Sequence, residues 1–232
     1  MRSFKDGYAA VVIGASGGVG AAVASQLEAD PQCGRVHRLS RTSEPALDLT
    51  DEDSVAAAAQ AVAAAGGADL VVIASGVLSR HGFAPEKTIR ALDPQAMALA
   101  FAINAIGPAL IFKHFAPLLP RAEKSAIAAL SARVGSIGDN RLGGWMSYRA
   151  SKAALNQIVR TSAIELARTR PQAICLALHP GTVATALSAP FAGARDTLTP
   201  EQAAARLLAV IDEAGPEASG SFLAHDGAAI EW

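Results

Sequence analysis

Short apolar runs rich in Val, Ile and Leu recur along this chain between longer alanine-rich stretches, and that alternation restricts its fold more than any other feature. Each strand that feeds a helix and returns as a parallel strand makes one βαβ unit, and repetition builds a single sheet with helices on both faces. The runs predict strands over 9–13, 35–40, 70–74, 126–131, 174–179 and 221–224. Helical spacing predicts helices over 19–29, 52–65, 94–115 with a bend near Pro108, 146–168 and 200–214. Val11-Val12-Ile13 and Leu70-Val71-Val72-Ile73 are apolar without interruption, as central parallel strands covered on both faces require. Thr50 before Asp51, Glu52 and Asp53 reads as a helix N-cap with an acidic first turn. The expected architecture is a doubly wound parallel α/β sheet in three layers, one domain over 1–232.

Composition narrows the function. The 53 alanines inflate a hydrophobic fraction of 51% without adding much large side-chain surface, so they point to closely packed helices. Twenty Lys and Arg against 21 Asp and Glu leave no electrostatic footprint for a phosphate backbone, and nucleic acid is not an expected partner. The most apolar stretch, 96–112, is interrupted by Asn104, Gly107 and Pro108 and is shorter than the roughly 20 residues a bilayer requires, so it reads as a buried helix. Residues 1–10 lack an apolar signal core, and the expected location is cytoplasmic. Cys33 and Cys175 fit reduced thiols, and the histidines at 37, 81, 114, 179 and 225 lack metal-ligand spacing.

Directly after the first strand comes Gly14-Ala15-Ser16-Gly17-Gly18-Val19-Gly20, with Gly14, Gly18 and Gly20 in G-x-x-x-G-x-G spacing at a strand-to-helix turn. Glycine permits positive φ, removes the Cβ that would block a pyrophosphate, and leaves helix-start N–H groups aimed at an anion. At this junction the motif marks a Rossmann-like dinucleotide site, with Ser16 and Val19 among its contacts. The second strand ends Leu39-Ser40-Arg41, without the acid that would hold a ribose 2′-hydroxyl. Arg41, supported by Ser16 or Ser40, suits a 2′-phosphate, so NADP(H) is expected over NAD(H). Asp48-Leu49 is placed against the adenine, and Ala74-Ser75-Gly76 ends the third strand with residues small enough for a cofactor to pass.

Tyr148 and Lys152 stand at i, i+4 near the start of a helix, on one face. A phenol of pKa about 10 exchanges protons poorly at neutral pH, and a nearby cation favours its phenolate. Lowering it to about 7 takes roughly 4 kcal/mol. With Asn104 inside a helix, Tyr148-x-x-x-Lys152, and Pro180-Gly181 after the fifth strand, the chain resembles the short-chain dehydrogenase/reductase family over essentially its whole length. Gly135-Ser136-Ile137, Gly143-Gly144 and the run from Tyr148 to Asn156 are similar to its C-factor-like branch. The resemblance implies Tyr148 as general acid/base and Lys152 on the nicotinamide ribose, lowering the tyrosine pKa. It also implies a water held by the helix backbone at Asn104, and carboxamide contacts from the Pro180-Gly181 turn through Val183 and Thr185. One departure stands out. The family pattern Ser-Ser-x-x-Gly is here Ser131-Ala132-Arg133-Val134-Gly135, which puts alanine where the family has its carbonyl-orienting serine. Ser131 is the expected replacement, with Ser136 as the alternative. Trp145 and Met146 are placed at the pocket or in the core, and 186–199 is expected as a substrate lid. The reading is an NADPH-dependent reductase of a small aldehyde or ketone, possible as a homo-oligomer, set against a weakly catalytic nucleotide-binding regulatory protein.

Overall fold

The computed structural model describes residues 1–79, 84–186, 188 and 197–232. Six strands, β1 (Tyr8–Ile13), β2 (Cys33–Leu39), β3 (Leu70–Ile73), β4 (Ser125–Leu130), β5 (Ala173–His179) and β6 (Ser221–Ala224), form one sheet in the order β2-β1-β3-β4-β5-β6. Every pairing is parallel. The chain leaves β1 toward β2 and then crosses back to place β3 on the other flank of β1. That reversal opens a crevice at the carboxyl ends of β1 and β3, where doubly wound sheets bind ligands.

The helices are α1 (Gly18–Glu28), α2 (Glu52–Ala64), α3 (Pro94–Phe101), α4 (Gly107–Phe115), α5 (Met146–Leu166) and α6 (Pro200–Glu213). Strand alternation divides the core in two. Ala10, Val12, Ala128 and Leu130 pack with α1 and α6, while Val11, Ile13, Ile127 and Ala129 pack with α2, α4 and α5. Half of β4 is alanine, and Ala126, Ala128 and Ala129 are fully buried. Small strand side chains let both helical layers approach the sheet closely.

Three local features differ from the sequence reading. Asp51, not Thr50, caps α2 by accepting from the Asp53 N–H, while Thr50 donates to Asp48. The break in the third predicted helix is a π-turn over Ala102–Ile106, ahead of Pro108. The helical stretch Pro94–Leu118 is 25 residues long, so by length and composition alone it would cross a membrane. Here Ile103, Ile111, Phe112 and Phe115 on that stretch fill the core instead.

The caps also sort the helices. Asp93 and Thr199 cap α3 and α6, the latter in a capping box with Gln202. The starts of α1 and α5, by contrast, receive no side-chain cap from their N-cap residues Gly17 and Trp145. Those two helix starts border the crevice.

Candidate active site

A cleft of about 670 Å³ runs from the glycine turn past Ala74-Ser75-Gly76 to the end of β4, the start of α5 and the segment after β5. Close packing explains the glycines. Gly14 has φ +86°, and a Cβ there would lie 2.6 Å from Ser75 Oγ and 2.9 Å from Ser75 N. A Cβ on Gly20 would strike the Gly14 carbonyl, and one on Gly18 would lie 2.8 Å from Thr185 Cγ2, across the cleft mouth. The N–H groups of Gly14 and Ala15 both donate to the Leu39 carbonyl, which ties the turn to the end of β2.

Tyr148 and Lys152 both line this cleft, with Nζ 5.9 Å from the tyrosine ring centroid. Lys152 is buried and donates to the Leu130 carbonyl at 2.7 Å. Asn104 is completely buried within the π-turn, a departure from α-helical spacing that recurs at functional sites. Its Oδ1 accepts from Val77 N at 2.8 Å, and its Nδ2 donates to Val77 O at 2.8 Å and to Ser151 Oγ at 3.1 Å. Gly76 lies between the two side chains: a Cβ there would stand 3.4 Å from Asn104 Oδ1 and 3.5 Å from Lys152 Nζ. The fold thus places buried Asn104 beside Gly76 and Lys152, behind the cleft wall that Lys152 and Tyr148 line.

Burial dominates the electrostatics of this pair in the protein alone. Burial pushes the Tyr148 phenol up to about 12 and the Lys152 ammonium down to about 8. Desolvation disfavours the charged form of each group, and it outweighs the attraction between them when the ammonium faces the ring and donates to a backbone carbonyl.

A family model described as enoyl-(acyl carrier protein) reductase matches residues 11–230. The chain belongs to the short-chain dehydrogenase/reductase family. It is therefore an oxidoreductase of that family. It is 38% identical over 192 residues to 1-hydroxy-2-glutathionyl-2-methyl-3-butene dehydrogenase of Rhodococcus sp. (strain AD45), covering 82% of this chain and 80% of that protein. Over 142 residues it is 37% identical to C-signal of Myxococcus xanthus, covering 61% of this chain and 81% of the relative. Among solved structures, NADPH-bound carbonyl reductase from chicken fatty liver superposes with a TM-score of 0.85 at 25% identity, over 99% of this chain and 95% of that one.

Of the other positions singled out in this short-chain dehydrogenase/reductase, Gly18, Val19, Pro180, Gly181, Val183 and Thr185 line the cleft. Ser16 and Arg41 are exposed beyond it, and Arg41 has no ion pair among the described residues. Ser40 Oγ accepts from Thr42 N. Leu49 is buried against Gly107, and the Asp48 carboxylate accepts from Thr50, so neither lines the cleft. Residues 187 and 189–196 of the expected lid lie outside the described residues. Trp145 lines the cleft and Met146 does not.

Ser131, the expected replacement, lines the cleft beside Ala132, and its hydroxyl donates to Asn156 Oδ1 at 2.6 Å. Ser136 Oγ accepts from Asp139 N, away from the cleft. Ala132, with extended backbone at φ −150° and ψ 145°, faces the cleft without a hydroxyl.

The sequence reading missed the anchor of α5. The carboxylate of buried Glu86 accepts from Ser147 N and Ser147 Oγ, 61 residues along the chain, and supplies the cap that Trp145 lacks. Gly143, Gly144 and Trp145 all have positive φ, and Arg149 holds this turn by donating to the carbonyls of Val134, Gly143 and Gly144. Trp145 meets Tyr148 edge-on, with ring centroids 6.3 Å apart. Gly143-Gly144 was the available signal, since paired glycines mark left-handed backbone. No spacing rule would have found Glu86. Among the described residues, no cluster of His, Cys, Asp and Glu suits a metal.

Proposed function

We propose that this chain is an NADPH-dependent reductase of a small aldehyde or ketone, with Tyr148 as general acid. The observation that carries the reading is the pairing of Tyr148 with Lys152 on the wall of a cleft that begins at the glycine turn. The donor set fits a dinucleotide: Gly14, Gly18 and Gly20 leave a cradle that Cβ atoms would fill, and α1 starts without a side-chain cap or an acidic first turn. Ser16, Gly18 and Val19 would hold the pyrophosphate. Arg41 with Ser40 would hold a 2′-phosphate, Asp48 and Leu49 would border the adenine, and Val183 and Thr185 the carboxamide. When bound, the reduced dinucleotide supplies the hydride that reaches the carbonyl carbon. Tyr148 Oη gives its proton to the carbonyl oxygen as charge develops there. A phenol held near 12 stays protonated until that moment, and Lys152, charged below about pH 8, stabilises the phenolate left behind. The NADPH-bound carbonyl reductase and the Rhodococcus dehydrogenase support this reading.

Ala132 favours a second reading, a nucleotide-binding regulatory protein with little catalysis. Following NADPH absorbance against aldehydes, ketones and quinones separates the two. Turnover that falls by about 10²-fold or more in Tyr148→Phe supports the enzyme. Tight cofactor binding without turnover supports the regulator. In the same assay NADPH should bind at least about tenfold more tightly than NADH, and Arg41→Ala should remove most of that gap. Equal affinities in the unaltered protein would refute the 2′-phosphate site.

A further inference from the structure

The substrate end of the cleft has a charge imbalance. Its described lining includes Arg133, Arg141, Arg149 and Lys152 against one acid, Asp139. These cations differ in what occupies them. Lys152 sits at the reacting centre on the Leu130 carbonyl, and Arg149 is held by three backbone carbonyls. Arg133 lies 3.5 Å from Asp139, with both side chains about half exposed. Arg141 is exposed and has no hydrogen-bond or ion-pair partner among the described residues.

The segment that presents Arg141 is held on both sides. Asp139 N donates to Ser136 Oγ, Gly143 N donates to Asn140 Oδ1, and the carbonyls of Gly143 and Gly144 accept from Arg149. The next residue, Leu142, also lines the cleft and is 85% exposed. A guanidinium without a partner beside an uncovered leucine, both on a braced turn, makes a surface for a ligand with an apolar body and an anionic end.

We infer that the substrate carries a carboxylate or similar anion, which Arg141 anchors, while its carbonyl lies at Tyr148. This rests on the carbonyl-reductase reading of the same cleft. Ala132 gives the arrangement a reason. Without a second hydroxyl to orient the carbonyl, orientation has to come from a remote part of the substrate, and an anchored charge supplies it. On the proposed reading the glycine turn and Arg41, which lies outside the cleft, serve the cofactor's phosphates, which leaves Arg141 for the substrate.

The test compares a medium-chain oxo acid with its primary amide, both as substrates of the protein–NADPH complex. The acid should be favoured in kcat/KM by about tenfold or more, mainly through KM, and the preference should shrink with added salt. Arg141→Gln should bring the acid-to-amide ratio close to one, and Arg141→Lys should keep part of it. A ratio near one in the unaltered protein, or a ratio that survives Arg141→Gln, overturns the inference. So does a loss of NADPH affinity in Arg141→Gln, which would make the residue a cofactor contact. If neither compound is reduced, titrating both into the NADPH complex by nicotinamide fluorescence decides. Acid-selective binding that Arg141→Gln abolishes upholds the anion site and sinks the reductase reading, while unselective binding sinks the anion site.

Discussion

Ala132→Ser should convert a slow reductase into a faster one. Ala132 lines the cleft and has extended backbone that serine adopts freely. In acyl and carbonyl chemistry one preorganised donor to a developing oxyanion contributes about 10²–10³ in rate, or roughly 3–4 kcal/mol. A hydroxyl added by substitution has not been positioned by its surroundings, so the lower end is expected: kcat for an unactivated ketone rises by about thirty- to a hundredfold, ~2–3 kcal/mol off the barrier. The assay is NADPH consumption at saturating cofactor. Ala132→Val adds volume without a donor and should give no gain. Ser131→Ala and Ser136→Ala should each change kcat by less than about threefold, since the Ser131 hydroxyl is committed to Asn156 Oδ1 and Ser136 Oγ to Asp139 N. Because the introduced hydroxyl and the Tyr148 phenol would act on one oxygen, the gain should largely disappear when Ala132→Ser is combined with Tyr148→Phe. If Ala132→Ser binds NADPH normally yet turns over within about twofold of the unaltered protein, the reacting carbonyl does not lie between these two positions, and the assigned pose is wrong.

Two further outcomes follow from burial. Lys152 is held at about 8 against an ordinary 10.5, which penalises folding by ~3 kcal/mol at neutral pH. The folded value lies below the unfolded one, so the unfolded chain binds more protons between about pH 8 and 10.5, and the penalty is full below that window and fades as pH rises through it. Cofactor-free Lys152→Met should therefore melt several degrees higher at pH 7, with the difference narrowing by pH 10, while turnover is lost. A lower melting temperature at pH 7 would show that the bond to Leu130 outweighs desolvation. Glu86→Ala leaves the Ser147 N–H and hydroxyl without their acceptor, at a cost of about 2 kcal/mol or roughly 4–8 °C in Tm. Its kcat should fall as well, because Tyr148 follows Ser147 on the helix that this carboxylate caps. A thermal melt within about 1 °C of the unaltered protein would remove Glu86 from that role.

Local pattern carried most of the fold. The six predicted strands became six parallel strands with ends within two residues of those expected, and the central ones are apolar because both their faces are covered, whereas edge strand β2 carries Arg35, His37 and Arg38. The glycine turn and the Tyr148/Lys152 spacing were legible for the same reason: close backbone approach and a shared helix face are properties of a few neighbouring residues.

What the chain alone did not disclose depends on which distant segments meet. The π-turn seats Asn104 between Val77, after β3, and Ser151 on α5, two distant segments, and proline spacing suggested a break elsewhere. Glu86 reaches the start of α5 only because the fold returns it there. The burial that raises the Tyr148 phenol in the protein alone was not legible either, because charge spacing lies within one helix, whereas desolvation is imposed by every element that covers it. Sequence determined which faces are apolar and where the backbone bends. Tertiary structure decided how far water is excluded from the groups those faces carry, and with it their chemistry.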